Sequence, residues 1–322
     1  MRISLFLPHV GVFGGVRRYL ELGNAWVELG HGVTLYHPEG GPPGWLPFAG
    51  DVAPIDRARE RESDAALCSE PNTYPAFRAH RAKTHLYYCV LERDPGLRRA
   101  IADHEVRLAA NSTALRRAIA SRAGRPVLDG AGGINFAQFH PDPSRRAGTP
   151  LRVLVNGRRS RPKKGTDLVL AALRSLDGRV PEFEIVLFDT PGSVDPRDGA
   201  ALPGNARYVL NPAQPELVAL YQSSHVFIAA ERKAGWCNTA LEAMACGCAV
   251  ACTRSGTGDF ARDGISAVVV PFRHSWFIAR AARRLLEDSA LRARLESEGP
   301  RAALPWSWER LAGKLADQIA AR

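Results

Sequence analysis

The chain has 322 residues, of which 45% are hydrophobic and 24% charged, and its net charge is +10. This is the composition of an ordinary globular protein of about two domains. No stretch approaches the roughly 20 apolar residues that a membrane-spanning helix requires, and we interpret the amino-terminal residues as a first strand instead of a secretory leader. We therefore expect a cytoplasmic protein.

The positive charge admits three kinds of partner: nucleic acid, an anionic membrane surface or an anionic small substrate. The sequence contains no zinc-finger spacing, aromatic RNA-binding signature or recognition-helix pattern, so we expect no nucleic acid partner. A peripheral contact with the inner face of an anionic membrane stays open, because basic residues are scattered over many segments.

Short apolar runs alternate with helical patterns through the first part of the chain. The predicted strands are Ile3–Pro8, Val33–His37, Ala65–Cys68, His85–Cys89, Arg107–Ala110 and Val127–Asp129. The predicted helices are Gly15–Leu29, Pro71–Arg81, Pro95–Asp103 and Ser112–Arg122. This alternation predicts a parallel sheet with helices on both faces.

A polar segment with three prolines, His140–Pro150, follows and predicts a connection between two domains. The alternation then restarts. The predicted strands are Leu151–Asn156, Glu184–Phe188, Ala206–Leu210, His225–Ala230, Ala249–Thr253 and Ser266–Pro271. The predicted helices are Gly165–Leu176, Pro215–Tyr221, Thr239–Cys246, Ser275–Asp288, Ala290–Glu298 and Trp308–Ala321. We expect two doubly wound, Rossmann-like α/β domains, residues 1–143 and 150–305, that face each other across a cleft.

The six cysteines suggest a metal site at first sight, because four of them fall between Cys237 and Cys252. Their spacing fits no zinc pattern, however, and no histidine lies in that stretch. We interpret them as small buried thiols.

A basic run, Arg158–Lys164, is the most informative segment, since five of its seven residues are Lys or Arg. It follows the predicted strand Leu151–Asn156 and Gly157, and it precedes a predicted helix. Cations at the carboxyl end of a parallel strand, close to a helix start, favour a bound anion such as phosphate or pyrophosphate. A solvated basic loop is the alternative that the run alone leaves open.

A second segment, Gly235–Gly247, follows the strand at 225–230. Its small residues would let a ligand approach the backbone, and a helix beginning near Asn238 or Thr239 would direct free N–H groups at an anion. Glu242 could accept hydrogen bonds from the two hydroxyls of a ribose. Thr239 and Glu242 also have the spacing of a capping box, which is a purely structural device, and the residues alone favour neither interpretation.

Two other glycine-containing turns follow strands. The pair Gly14-Gly15 allows positive φ and close backbone approach, although the surrounding sequence is not a dinucleotide fingerprint. The turn Ser255–Gly264 would place Asp259 near the same crevice. Each is equally typical of an ordinary strand-to-helix turn.

Together these segments resemble the family 4 glycosyltransferases of the GT-B fold, which are retaining and use nucleotide-sugar donors. Gly157-Arg158 with Lys164-Gly165 resembles their donor diphosphate motif, and the stretch at 241–250 resembles the end of their E-x7-E motif. Further segments resemble their first-strand glycine loop, interdomain segment, later glycine turn and last helix; these are Gly14–Val16, 133–141, Ser255–Gly264 and 306–309. The resemblance covers most of the chain. It implies that a C-terminal helix, 306–322, crosses back to an acceptor-binding N-terminal domain.

The resemblance also implies an activity: transfer of a hexosyl or deoxyhexosyl group from a UDP-, GDP- or dTDP-sugar, with retention of configuration. In it, Arg158 and Lys164 hold the diphosphate as catalytic cations and Glu242 holds the ribose. The expected donor-binding residues are Gly14, Gly15, Gly157, Glu231, Gly235, Trp236, Asn238, Thr239 and Glu242. We expect no cofactor besides the donor and no metal, because the sequence contains no D-x-D motif.

One departure from the family pattern concerns the donor sugar. Ala234 stands where the first glutamate of the E-x7-E motif is expected, and Glu231 lies three residues earlier. Glu231 is therefore a candidate to replace that glutamate.

The acceptor side is also unusual, since no histidine follows the strand at 85–89. The stretch Tyr87–Pro95 resembles that of rhamnosyl- and polysaccharide-type relatives instead. We expect Glu92 to act in catalysis, with a surface ion pair between Glu92 and Arg93 as the alternative. The expected acceptor-binding residues are Arg17, Tyr88 and Arg93, and the acceptor would be a glycan, a lipid-linked sugar or a small natural product.

Two other functions stay open. One is a nucleotide-sugar 2-epimerase of the same architecture. The other is a non-catalytic protein that binds sugar nucleotides, which the alanine at position 234 favours.

Overall fold

The protein is described here from a computed structural model, which covers residues 1–92, 94–146, 150–189, 198 and 202–321. It divides into two compact units, Met1–Gly133 with Trp306–Arg322 and Ile134–Pro305. We had placed the end of the first domain at residue 143, but residues 134–143 pack with the second unit. In that segment the His140 carbonyl accepts a hydrogen bond of 2.9 Å from the Gln222 side chain.

The first unit is built on a seven-stranded, all-parallel sheet of order β3-β2-β1-β4-β5-β6-β7. Its strands are β1 (Arg2–Phe6), β2 (Gly32–His37), β3 (Asp51–Pro54), β4 (Glu62–Cys68), β5 (Arg81–Cys89), β6 (Val106–Ala110) and β7 (Val127–Asp129). Its helices are α1 (Gly14–Glu28), α2 (Tyr74–Ala79), α3 (Pro95–Ala102), α4 (Thr113–Ala123) and the C-terminal α10 (Trp308–Ala320). Apolar clusters cover both faces of the sheet, as the near-continuous apolar strands predict.

The return of the C-terminal helix to the first unit is confirmed. Helix α10 packs along α1, where the Trp26 indole donates to the Ala312 carbonyl over 2.9 Å. The Arg107 guanidinium donates to three backbone carbonyls in the last turn of the helix. These contacts give the helix end the cation that its dipole favours.

The second unit is built on a six-stranded parallel sheet of order β10-β9-β8-β11-β12-β13. Its strands are β8 (Leu151–Asn156), β9 (Phe183–Asp189), β10 (Ala206–Leu210), β11 (Val226–Ala229), β12 (Ala249–Thr253) and β13 (Val268–Val270). Its described helices of more than one turn are α5 (Thr166–Arg174), α6 (Gln214–Gln222), α7 (Asn238–Ala245), α8 (Ser275–Glu287) and α9 (Ser289–Ala303). Short 3₁₀ turns lie at Ile55–Glu60, Pro143–Arg146, Pro162–Lys164 and Leu304–Trp306.

Among the differences from the predicted elements, three have a clear structural basis. Strand β3 was not predicted, because it is a short edge strand with little burial. Helix α9 continues through Pro300 to Ala303, whereas we ended it at Glu298; Gly299 packs against Met244 there, and tertiary packing overrides the local breaker. Gly14 and Gly15 are the first residues of helix α1 and have no positive φ, so the conformational reason given for them was wrong.

His225 joins the first residues of β8 and β11. Its backbone N–H donates to the Arg152 carbonyl over 3.0 Å, and its ring Nδ1 accepts from the Arg152 N–H over 3.2 Å. Burial, aided by the charges of Arg146, Arg292 and Arg152, lowers the pKa of His225 to about 4. The His225 ring is therefore neutral near pH 7, and in this form it accepts the hydrogen bond from Arg152.

This histidine makes the protein sensitive to acid. An unfolded histidine binds its proton near pH 6.5, so between about pH 6.5 and about pH 4 the unfolded state holds more protons and stability falls as the pH falls. We expect the free energy of unfolding to drop by about 2 kcal/mol more in the wild type than in His225→Asn between about pH 7 and about pH 5. Urea unfolding at the two pH values measures this, and equal losses in both proteins would contradict it.

Candidate anion-binding site

The site lies in the second unit, where the strand order reverses between β8 and β11. In parallel α/β sheets, ligands bind at the carboxyl ends of the strands at such a switch point. The loop after β8 is the basic run, and the loop after β11 leads through Glu231 to the amino end of α7. The sequence thus brings its two most informative segments together here.

The two loops are fastened to each other by backbone contacts. The Arg232 N–H donates to the Lys163 carbonyl over 2.8 Å. The Arg273 guanidinium, which follows β13, donates to the carbonyls of Pro162 and Ala230, both over 2.6 Å. Gly165 has a φ of +78°, and a β-carbon on it would lie 2.3 Å from the Ala230 carbonyl oxygen. Only glycine fits this crossing of the loops.

The close approach at Gly165 gives a stability prediction. Gly165→Ala combines a left-handed conformation with a clash against backbone, so we expect it to cost about 3 kcal/mol or more in the free energy of unfolding. The control is Gly178→Ala, where φ is +64° but no atom lies within 4 Å of the added β-carbon, and about 1 kcal/mol is expected. Urea unfolding compares the two, and similar losses would show that the crossing relaxes.

Arg158 is paired with the carboxylate of Asp189. Its Nε donates to one oxygen of Asp189 over 2.9 Å, and its Nη2 lies 2.8 Å from the other oxygen. The Asp189 side chain is 2% exposed and that of Arg158 is 20% exposed. This bidentate contact uses two of the five guanidinium donors, so the side chain is held by β9 while it keeps donors for a phosphate.

Lys164 is paired in the same way. Its ammonium donates to a Glu231 carboxylate oxygen over 2.7 Å, and the two side chains are 25% and 12% exposed. Burial opposes the charge of Lys164, but the adjacent Glu231 carboxylate outweighs it and raises the pKa of the lysine. The structure therefore puts Glu231 directly beside a diphosphate-binding candidate.

Glu242 lies on α7 and is almost completely buried. Its Oε2 accepts a hydrogen bond of 2.9 Å from the hydroxyl of Tyr221, which is fully buried. Burial, together with the Glu242 charge, raises the pKa of Tyr221, so the phenol keeps its proton and donates. The capping-box alternative is wrong, because the helix cap is Cys237 and receives no side-chain hydrogen bond.

The amino end of α7 is packed against the turn after β12. The Cys237 N–H donates to the Gly256 carbonyl over 2.8 Å, and the Ser255 hydroxyl accepts from the Ala234 N–H over 2.8 Å. The Oδ1 atom of Asn238 is buried there and accepts no hydrogen bond from the described residues. A ligand with an N–H or O–H group could fill that position.

Other predicted donor residues are part of this framework. Trp236 is 8% exposed and packs on Phe260 with ring centroids 5.1 Å apart, so it stabilises the loop. Gly157 lies under the Tyr208 ring, which a β-carbon would approach to 2.6 Å. Gly235 and Thr239 are half-buried in the same segment as Asn238.

The remaining predicted residues belong to the first unit. Gly14 and Gly15 are exposed, Glu92 is exposed, and Arg93 lies outside the described residues. Arg17 is 8% exposed, with its guanidinium 5.8 Å from the Trp45 ring centre. Tyr88 is a core residue: its side chain is fully buried, and its hydroxyl donates to the Gly130 carbonyl and accepts from Arg18. This burial leaves it no surface for an acceptor, so that prediction was wrong.

Sequence reasoning missed the partners of the predicted residues, above all Asp189 and Tyr221. Asp189 was detectable in principle as a carboxylate at the carboxyl end of the strand next to β8. Tyr221 carried no such signal, because it lies at the end of a helix among apolar residues.

The cysteine interpretation is confirmed, since all six are free and buried. Among the described residues no group of three His, Cys, Asp or Glu side chains is arranged to hold a metal ion. Within the same residues, no helix combines the length and the apolar character needed to cross a bilayer.

Comparison with known structures supports the fold. HepE from Anabaena, solved with UDP and glucose, superposes with a TM-score of 0.79 at 14% identity over 100% of both chains. Sucrose-phosphate synthase from Thermosynechococcus elongatus gives 0.76 at 17% identity over 99% of both chains. A glycosyltransferase from Rickettsia africae gives 0.77 at 15% identity, covering 100% of this chain and 99% of that chain. The TM-scores show a shared GT-B architecture, and at these identities the likeness concerns the fold alone.

Sequence comparison identifies the family. D-inositol 3-phosphate glycosyltransferase from Salinispora arenicola is 28% identical over 204 residues, which cover 55% of this chain and 46% of that protein. The same enzyme from Thermobispora bispora is 29% identical over 205 residues, 58% of this chain and 48% of that protein. The chain thus spans about half the length of the curated relatives it matches. The family model described as glycosyl transferases group 1 matches residues 139–302, just over half of the chain, and the protein belongs to that family.

Proposed function

We propose that the protein is a glycosyltransferase that moves a sugar from a nucleoside diphosphate donor to an acceptor hydroxyl. The observation that carries this proposal is the pair of partly buried, carboxylate-anchored cations, Arg158 and Lys164, at the switch point of the second unit. Membership of the group 1 family supports the reaction class.

In the proposed reaction the bond between the anomeric carbon and the diphosphate oxygen breaks, and a bond from that carbon to the acceptor oxygen forms. Negative charge then grows on the leaving diphosphate. Fixed cations that are already oriented stabilise such charge without reorganisation. The acceptor proton passes to the leaving phosphate, which agrees with the expected retention of configuration, and Arg158 with Lys164 does the work of a metal ion.

We assign the nucleoside end of the donor to Glu242. A carboxylate accepts from two hydroxyls at once, as a ribose diol requires, and the Tyr221 hydroxyl fixes its orientation. Gly157, Gly235 and Thr239 would give the backbone access to the donor, and Asn238 offers its unpartnered oxygen. HepE was solved with UDP-glucose, so uridine donors are the first to test, before GDP- and dTDP-sugars.

Glu231 has a different part in this proposal from the one predicted. Its carboxylate is bound to Lys164, so we propose that it acts on the donor through that lysine. In this proposal, no carboxylate at position 234 contacts the donor sugar, because that residue is an alanine.

The acceptor would be bound by the first unit, for which Arg17 and Glu92 remain the candidates and Arg93 a further one. The net charge of +10 favours an anionic acceptor or one presented at an anionic membrane, in agreement with a protein that works at the inner face of a membrane.

The test is calorimetric titration with UDP, GDP and dTDP, followed by product analysis with the sugar nucleotide that binds, with and without an acceptor panel. Transfer to an acceptor, with the unreacted donor sugar unchanged, is the expected result. A donor sugar altered in the absence of acceptor would instead indicate an epimerase. Tight binding with no turnover over the panel would indicate a binding protein. Lys163→Ala, an exposed neighbour of Lys164, is the control variant.

A further inference from the structure

Large aromatic side chains lie exposed at one corner of the second unit. Phe272 in the turn after β13 is 65% exposed, and Trp276 in the first turn of α8 is 56% exposed. Phe277 packs against both, with ring centroids 5.2 Å from Phe272 and 4.7 Å from Trp276. These three residues, the aromatic ridge, support one another and present a preformed apolar surface to solvent.

Exposed cations lie on three segments that Arg273, the neighbour of Phe272, joins together. They lie on the loop after β8, the loop after β11 and helix α8; together we call them the basic rim: Arg161, Lys163, Arg232, Lys233 and Arg280. Arg273 joins the three segments through its hydrogen bonds to the carbonyls of Pro162 and Ala230. The guanidinium of Arg280 lies 6.0 Å from the Trp276 ring centre.

The charge of this corner is strongly one-sided. The segments 158–164, 230–236 and 271–280 carry five, two and two Lys or Arg residues, against a single carboxylate, Glu231. That carboxylate is bound to Lys164, and Arg158 and Arg159 are paired with Asp189 and Asp167. Burial and the nearby charge of Arg232 lower the pKa of Arg273.

We propose that the aromatic ridge and the basic rim form a docking surface for a bilayer that contains anionic lipids. Tryptophan and phenylalanine side chains insert at the boundary between lipid headgroups and acyl chains, because their rings are largely apolar. Lysine and arginine around them bind the anionic headgroups. Two exposed aromatic residues with exposed cations on the adjoining segments match both the apolar and the anionic part of such a membrane surface.

This surface explains why the basic run has more cations than a diphosphate requires. Arg158 and Lys164 are partly buried and paired with carboxylates, whereas Arg161 and Lys163 are exposed in the same loop. Within these seven residues, Arg158 and Lys164 therefore belong to the anion-binding site, and Arg161 and Lys163 belong to the docking surface. Docking is independent of sugar transfer, and it would be measurable in a protein without any turnover.

The experiment is flotation of the protein with phosphatidylcholine vesicles, with and without phosphatidylglycerol. We expect binding to the anionic vesicles only, weakening with salt. The double variant Phe272→Ser/Trp276→Ala should lose at least about tenfold in partitioning, and Lys233→Ala and Arg280→Ala about fivefold each. Because these side chains are exposed, folding should be preserved, which circular dichroism and a UDP titration verify.

The matched controls are Ile265→Ser, an exposed apolar residue at the opposite end of β13, and Arg207→Ala on the far edge strand β10. Both should bind vesicles as the wild type does. The inference is overturned if the aromatic double variant partitions normally, or if neutral vesicles bind equally well. It is also overturned if the wild type is a dimer that the double variant dissociates without lipid, since the surface would then pair two copies.

Discussion

Lys164→Ala is expected to lower the rate of sugar transfer by about 100- to 1,000-fold, whereas Lys163→Ala should leave it within about twofold. The two lysines are neighbours in sequence, but the first is paired with Glu231 inside the site and the second is exposed. Charge lost at the leaving diphosphate acts on the transition state, so the fall should appear mainly in kcat. Steady-state kinetics with the donor identified by titration measure it.

A loss of folding must be separated from a loss of chemistry in this variant. Removing Lys164 leaves the Glu231 carboxylate, 12% exposed, without its partner, at a cost of about 1–3 kcal/mol in stability. The double variant Lys164→Ala/Glu231→Ala removes both charges and should recover most of that stability, but not the transfer rate. Recovery of the rate in the double variant would mean that Lys164 serves only to neutralise Glu231.

The pH dependence offers an independent readout of the same pair. Glu231 raises the pKa of Lys164, so the ammonium persists to higher pH in the folded protein, and its contribution is lost only as the pH rises through that raised value. In Glu231→Gln the alkaline fall of donor affinity should therefore begin at lower pH. An unchanged alkaline limb would show that Lys164 does not titrate in donor binding.

Glu242→Ala should weaken nucleoside diphosphate binding by about 100-fold, because two hydrogen bonds from ribose to a charged acceptor are lost. The variant also leaves the buried Tyr221 hydroxyl without its acceptor, which should cost about 1–3 kcal/mol of stability. Calorimetric titration with UDP and urea unfolding measure the two effects. Unchanged affinity would remove Glu242 from the donor site.

Tyr221→Phe is the matched control for that experiment. It removes only the hydroxyl that orients Glu242 and retains the buried ring between Phe139, Phe188 and Phe227. We expect a loss of about 1 kcal/mol in stability and less than tenfold in UDP affinity. A loss as large as that of Glu242→Ala would show that UDP affinity depends on the Tyr221 hydroxyl as much as on the Glu242 carboxylate.

The alternation of strands and helices was predictable because the central strands of these sheets are largely buried on both faces and contain apolar runs. Strand β12, in which all five residues are buried, is a clear case. Strand β3 lacks this signal, since it lies at a sheet edge and is at most half-buried. The course of α9 through Pro300 depends on contact with α7, a partner that local sequence does not disclose.

The charged residues of the site could be predicted from the sequence, but the residues that pair with them could not. Arg158, Lys164 and Glu242 stand at positions that parallel sheets use for ligands. Their partners are distant in sequence, 31 residues apart for Arg158 and Asp189 and 21 for Tyr221 and Glu242. Such pairs follow from sheet order and helix packing, which is why the basic run looked more exposed than it is.

The pairing of both cations also affects the stability of the site in the absence of a ligand. Without carboxylate partners, the two cations would repel each other and would need a bound anion to offset their charge. Here β9 brings a carboxylate to Arg158, and the loop after β11 brings another to Lys164. The charges at this edge of the sheet are therefore balanced within the protein itself, before any anion binds.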